Sequence, residues 1–394
     1  MIRAITDQNV AGKRLVVRAD LNVPMADRRV TDATRITRFA EGMKPLLTQG
    51  ASMVVLSHFG RPSGPDPDLS LRLIRDDLSR ALARPVRFAT LDQAREADLQ
   101  PGGVLLVENL RFEPGEEAND PALADTLASL GDYYVNDAFS CAHRAHASTH
   151  ALAQRLPAFA GPLMAGELSA LQKALEAPLR PSVAIVGGAK VSTKIAVLRN
   201  LVAKVDHLIV GGGMANTFLF ARGAPMGRSL HEADQSATVT EILTLAKAAG
   251  CTIHLPRDVV VAREFRAGAT SDIQPSNNCP NDAMILDAGP GALADFTRVL
   301  EGARTILWNG PLGAFEIPPF DAATTGLARV AAELTRGGTA ISVAGGGDTV
   351  AALNAAGVSD SFTYVSTAGG AFLEWLEGRS LPGVAALMRE NEEV

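Results

Sequence analysis

The chain is poor in cysteine and without a long apolar run, and each lack excludes something. Cys141, Cys251 and Cys279 are the only cysteines in 394 residues, an odd number with no paired spacing. That argues against a disulfide framework or a cysteine zinc cluster and favours a reducing compartment. No uninterrupted apolar stretch reaches the length a bilayer requires, and the opening MIRAITDQNVAGKRLVVR carries no apolar signal core. A cytoplasmic location with no membrane partner is expected. Positive charge is not in excess either: 37 Lys and Arg stand against 43 Asp and Glu, a net −6 with the signs interspersed. No nucleic-acid partner is expected, and any anion site must be a local gathering of Arg, Lys and His.

What is present is ordinary for a soluble globular protein, 47% hydrophobic and 20% charged residues, in a length that suits two or three domains. Short apolar runs recur between helical segments: Arg14 to Arg18, Met53 to Ser57, Gly103 to Val107, Tyr133 to Asn136, Val183 to Val186, His207 to Val210, Ile253 to Leu255, Thr305 to Trp308 and Thr339 to Val343. The alternation predicts two parallel-sheet α/β units. The break falls inside Ala165 to Pro181, where Leu168, Leu171, Leu175 and Leu179 have helical spacing and the prolines that follow stop the helix.

The stretch PSVAIVGGAKVSTKI joins a β-branched run to two glycines and two lysines. Gly187 and Gly188 permit a tight turn whose amides approach an anion, and a helix opening near Ala189 would set Lys190 and Lys194 on one face as an i, i+4 pair. An ordinary βα turn with solvated lysines remains the alternative, and the Walker frame is missing.

In the first half, VVRADLNVP brings Asp20 and Asn22 to a strand end, where they can accept hydrogen bonds from substrate hydroxyls or simply form a turn. Arg35 follows an N-cap at Thr31 or Asp32. His58 and Arg61 in SHFGRP, Arg111 in ENLRF and Arg144 in NDAFSCAHRAHAS belong to consecutive βα units. Converging arginines suit phosphate and carboxylate together. His143, His146 and His150 have a spacing that fits one helical face, but no frame for a metal surrounds them. Cys141 reads as a buried small residue. In the second half, Gly211, Gly212 and Gly213 in GGGMANTF can let a flat base lie against the backbone. Asn309 and Glu316 lie in WNGPLGAFE, and Glu316 can hold ribose hydroxyls. Asp348 and Thr349 follow Gly345, Gly346 and Gly347, and Asp348 reads equally as an N-cap or a Mg²⁺ ligand. Gly369 and Gly370 open a further helix.

Ten stretches, VVRADLNVP, SHFGRP, ENLRF, NDAFSCAHRAHAS, GGAKVSTKI, GGGMANTF, WNGPLGAFE, GGGDTVAAL, STAGGAF and LPGVAAL, in that order over essentially the full length, resemble the phosphoglycerate kinase family. The resemblance implies two Rossmann-like three-layer α/β domains joined by a helical hinge: residues 1–165, rejoined by 378–394, then a hinge at 166–181 and a nucleotide domain at 182–377. It implies a cytoplasmic glycolytic enzyme, usually monomeric, that moves a phosphoryl group between 1,3-bisphosphoglycerate and MgADP to give 3-phosphoglycerate and MgATP. Matched motif to motif, Asp20, Asn22, Arg35, His58, Arg61, Arg111 and Arg144 are expected to bind phosphoglycerate. Lys190, Lys194, Gly211 to Gly213, Asn309, Glu316, Gly345 to Gly347, Asp348 and Thr349 are expected to bind nucleotide, with Asp348 toward Mg²⁺. Arg35, Lys190, Gly346, Gly369 and Gly370 are the expected catalytic set.

The chain departs from the family pattern at Ser140, Cys141, Thr193, Ala288, Ala368 and Phe372, none of which removes an Arg or Lys. Thr193 takes away a carboxylate near the lysines, and Ala368 makes a positive φ costlier there. A dinucleotide oxidoreductase would share the glycine turns but lacks G-x-G-x-x-G with an acid about 20 residues on. A non-catalytic sugar-phosphate binder explains the arginines but not the lysines.

Overall fold

Parallel strands covered on both faces read as unbroken apolar runs, and SMVVL at Ser52–Leu56 and VLLV at Val104–Val107 are buried at every position. The structure, a computed structural model, describes residues 2–388. It divides into two units, one taking the chain as far as Leu168 and again from Ser380, the other covering Ser169–Arg379. Both are Rossmann-like α/β folds.

The first unit has a six-stranded parallel sheet in the order Val86–Ala89, Val104–Val107, Ser52–Leu56, Arg14–Arg18, Tyr133–Asn136, Ala158–Ala160. Leu15, Val17, Met53, Val55 and Leu106 meet Ile36, Phe39 and Met43 of the helix Thr34–Thr48 in one core. The short helix Pro382–Ala385 returns to this unit, where Gly383 N donates to Ala142 O at 2.9 Å. The remainder of the expected segment 378–394, from 389 on, lies outside the described residues.

The second unit repeats the plan in the order Thr252–His254, His207–Val210, Ser182–Val186, Thr305–Asn309, Ile341–Gly345, Tyr364–Ser366. Register pairs Asn309 with Val186, so the loops after these two central strands begin side by side. Val183, Ile185, Ile306 and the fully buried Trp308 pack on Phe296 and Leu327. A separate antiparallel sheet runs Ser271–Pro275, Asp258–Ala262, Met284–Ala288.

All nine expected runs are strands, with ends displaced by two residues at most. The connector differs from expectation. Its helix spans Pro162–Leu171 and runs on as a wider turn at Gln172–Glu176, so it starts ahead of Ala165, and Leu179 lies beyond it, 62% exposed. The early start has a cause: Asp137 Oδ1 accepts from the amides of Leu163 (2.7 Å) and Met164 (3.3 Å) and so caps the first turn.

Burial raises the Asp137 carboxyl to about 7. The unfolded chain gives up this proton near its ordinary value of about 4, whereas the folded chain keeps it. Between those values the folded state binds more protons, so the stability from this group is full at low pH and is lost as pH rises through about 7. Asp137→Asn should flatten that loss, read as Tm against pH by calorimetry. An unchanged slope would reject the assignment. Asp287, also raised to about 7 by burial, leaves a residual slope.

Candidate functional site

In the first unit the site starts where the strand Arg14–Arg18 ends. Asp20 Oδ2 accepts from Arg35 Nη1 (2.8 Å) and from Ser140 Oγ (2.5 Å), and Arg35 Nη1 also donates to Asn22 O (2.9 Å). Asn22 Oδ1 accepts from Gly60 N at 3.0 Å. Ala33, not Thr31 or Asp32, is the N-cap before Arg35. Asp32 acts from one residue further out, accepting from Thr34 N (2.9 Å) and Thr34 Oγ1 (2.6 Å).

Asn109 ties the SHFGRP and ENLRF loops together. Its buried amide accepts from the backbone N–H of Phe59 and of Arg111, both at 3.1 Å, and donates to Phe59 O (2.7 Å) and Leu69 O (2.8 Å). Arg111 Nη1 donates to Gly60 O, and its Nε lies 3.3 Å from Glu117. Arg144 Nε donates to His143 Nε2 at 3.2 Å. Arg61 stands exposed on its loop. The three histidines do not share a helical face, because the chain passes through a π turn at Ala147–Ala151. His146 faces Glu116 at 3.9 Å, while His150 faces Asn119 at 3.1 Å.

Sequence reasoning passed over Arg18, whose signal was an arginine closing an apolar strand. It is 1% exposed and donates from Nε to Ser148 Oγ (2.9 Å), which in turn donates to the buried Glu116 (2.6 Å). Arg18 Nη2 lies 3.2 Å from His58 Nδ1. An arginine only donates, so Nδ1 accepts and the ring proton sits on Nε2. Burial first, then Arg18, Arg111 and Arg144, hold the His58 pKa down to about 2. His58 is therefore a neutral donor throughout the working range. Its ring shifts in NMR should stay flat through the ordinary histidine range near pH 6.5. A titration there would contradict this arrangement.

The second unit builds its site on close backbone approach. A Cβ on Gly187 would fall 1.8 Å from Pro311 O, and one on Gly310 would fall 2.2 Å from Gly187 O. Only glycines let the VGGAK and WNGPLG loops touch in this way. Lys190 and Lys194 do not share a helical face. Val191–Thr193 is a single 3₁₀ turn, and the α-helix opens only at Ile195. Thr193 Oγ1 closes the turn on Lys190 O (2.8 Å), and Glu232 holds Ser192 through its amide and hydroxyl. Lys190 is left exposed. Lys194 turns inward and donates to Gly187 O (2.8 Å), Asn309 O (3.2 Å) and Asn309 Oδ1 (2.7 Å). Burial lowers its pKa to about 8, against the pull of Asp348.

Asn309 Nδ2 donates to Gly345 O (2.8 Å), and Gly310 N donates to Thr349 Oγ1 (2.7 Å), so both side chains bind neighbouring strand ends together. The N-cap of the helix Gly347–Ala355 is Gly346, at φ +98°, and no side chain caps it. Asp348 is therefore not the N-cap. It sits exposed in the first turn, where the helix dipole favours a carboxylate. Ala368, before the helix Gly369–Leu376, has φ −95°, so the expected cost of a positive φ does not arise. Phe372 is fully buried against Gly345, where a Cβ would come within 2.7 Å of the ring.

These loops border a cavity of about 650 Å³. Gly188, Ala189, Gly212 and Gly213 form one wall, Leu230, Phe265, Met284 and Leu286 give apolar surface, and Glu316 and Asp348 add carboxylates. Phe265 and Leu230 remain 61% and 53% exposed. The combination suits a ligand with a flat apolar end and a charged end. The hydrophobic residues carried no motif by which the sequence would have shown them.

Comparison with known proteins gives one answer. The family model described as phosphoglycerate kinase matches residues 5–379. The phosphoglycerate kinase of Dinoroseobacter shibae is 59% identical over 387 residues, 98% of each chain, and that of Zymomonas mobilis is 57% identical over 385 residues, 96% of this chain and 97% of the relative. The solved phosphoglycerate kinase from Coxiella burnetii superposes with a TM-score of 0.94 at 42% identity, covering 98% of this chain and 99% of that one.

Proposed function

The chain belongs to the phosphoglycerate kinase family, and on that premise we propose which of its residues carry the reaction. The activity is reversible phosphoryl transfer between 1,3-bisphosphoglycerate and ADP. Run in reverse, its acceptor is a carboxylate, which has no proton to lose at neutral pH. No general base is needed, so catalysis reduces to alignment and to neutralising charge on the transferring group.

The first unit holds phosphoglycerate through Asp20, Asn22, Arg35, His58, Arg61, Arg111 and Arg144. Arg35 steadies the carboxyl oxygen, and neutral His58 donates from Nε2. The second unit holds ADP or ATP in its cavity, with the base on the glycine and apolar walls, Glu316 at the ribose, and Gly211 to Gly213, Gly345 to Gly347 and Thr349 around the phosphates. Lys190 accompanies the phosphoryl group, and Gly346, Gly369 and Gly370 offer amides at helix starts. Lys194 and Asn309 act by fixing the loops. Hinge bending in the connector 166–181 is the closing step, and the enzyme works as a cytoplasmic monomer.

Asp348 fits a Mg²⁺ that arrives with the nucleotide: it is a hard carboxylate, exposed and not engaged in capping, in a cavity suited to polyphosphate. Bound there, the ion would supply charge neutralisation on the phosphates. Among the described residues no helix is long and apolar enough to cross a membrane.

The observation that carries this reading is an arginine-rich anion cradle on one unit and a glycine-walled cavity beside Lys190 on the other. ATP consumption that depends on 3-phosphoglycerate, with hydroxylamine trapping the acyl phosphate, tests it. No stimulation by 3-phosphoglycerate would overturn it.

A further inference from the structure

Asp20, His58 and Cys141 each present one ligand atom, and the three atoms lie within 4.8 Å of one another. His58 Nδ1 and Cys141 Sγ are 3.9 Å apart. We propose that Asp20, His58 and Cys141 form a binding site for a soft divalent cation of the Zn²⁺ or Cd²⁺ class, and that the cation competes there with phosphoglycerate.

The donor set is carboxylate, imidazole and thiol, which selects soft and borderline ions over Mg²⁺. The spacing lets one ion contact all three with small side-chain movements. His58 is neutral, so its Nδ1 lone pair becomes available when the imidazole turns off Arg18 Nη2. Arg18 keeps its bonds to Ser148 and to the Ala19 carbonyl. On coordination the Cys141 S–H bond breaks, the proton leaves to solvent, and the sulfur pair forms the metal bond. Burial holds the Cys141 thiol up, and Arg18 Nη2, 3.7 Å from Sγ, is the main influence that opposes it, so the metal must displace the proton.

Charge decides which ions enter. Arg18, Arg35, Arg111 and Arg144 all bear on the site, so a bare cation is repelled. A divalent ion that gains a thiolate and the Asp20 carboxylate forms a complex of zero net charge, and a hard ion that recruits only the carboxylate does not. Occupancy removes Asp20 and His58 from the cradle. Competition with phosphoglycerate follows from that and rests on the placement proposed above.

The test is titration of the full chain with Cd²⁺ in Mg²⁺-free buffer, following the thiolate-to-cadmium absorption band. One equivalent should develop the band, C141T should abolish it, and C251S should leave it intact. H58Q, with its melting curve checked, should weaken cadmium binding and guards against a misfolded C141T. Excess 3-phosphoglycerate should suppress the band in the parent chain. No band, or a band that survives in C141T, would overturn the site. A Cys141-dependent band that 3-phosphoglycerate leaves untouched would uphold the metal site and overturn the placement of phosphoglycerate instead.

Discussion

Lys190→Ala should lower kcat about 100-fold to 1,000-fold while ADP affinity changes only a few-fold. The direction follows from where the lysines sit. Lys194 is committed to the protein, with its ammonium against Gly187 O and both oxygens of Asn309. Lys190 is exposed at the edge of the loop whose Gly188 and Ala189 line the cavity. Its charge is available to follow a phosphoryl group as it leaves ADP or ATP, when negative charge spreads over the equatorial oxygens. A group that acts mainly on the transition state is felt in kcat, and losing one such donor typically costs about 100-fold to 1,000-fold. Steady-state kinetics in both substrates, with calorimetric titration of ADP, separate the two effects. Near-normal turnover, or a loss confined to ADP binding, would remove Lys190 from the catalytic role.

Why some of this was legible in the sequence and some was not has physical reasons. Central parallel strands are buried on both faces, so VVR, MVVL, AIV and ILW announced themselves. Some strands that escaped are short and at sheet edges, such as Ala158–Ala160 and Tyr364–Ser366, or polar, such as SDIQP at Ser271–Pro275, which is largely exposed, whereas DVVVA at Asp258–Ala262 is apolar and central in its antiparallel sheet. Motifs gave the positions of the arginines and glycines because close backbone approach and anion binding admit few residue types. They did not give conformation. Lys190 and Lys194 are four apart in a stretch that looks helical, yet Glu232, 40 residues away, holds Ser192 in a 3₁₀ turn and breaks the pairing. Asp348 looks like a cap in GGGDTV because Asp often is one, but Gly346 takes that position. Arg18 escaped because its partners Ser148 and Glu116 are distant in sequence, and only the fold brings them to the strand end.

Arg35→Ala should reduce turnover by a comparable factor, about 100-fold or more, and leave the nucleotide KM nearly unchanged. Arg35 reaches Asp20 and the Asn22 carbonyl through the same Nη1, and its side chain is still 35% exposed. The pair with Asp20 thus orients the guanidinium without burying it, and its other nitrogens remain able to meet a carboxyl oxygen. Truncation does two things at once. It removes the cation that steadies the reacting oxygen, and it leaves Asp20 with Ser140 Oγ but without its counter-ion in a cradle built for an anion. The second effect raises the phosphoglycerate KM, while the first lowers kcat, so these two parameters should move together while the nucleotide KM stays put. Arg35→Lys separates them. A lysine restores charge near Asp20 but not the planar fork that holds two acceptors at once, so KM should recover further than kcat. Recovery of both to parental values would mean that charge alone is required. An effect of Arg35→Ala limited to nucleotide affinity would place Arg35 outside the phosphoglycerate site altogether.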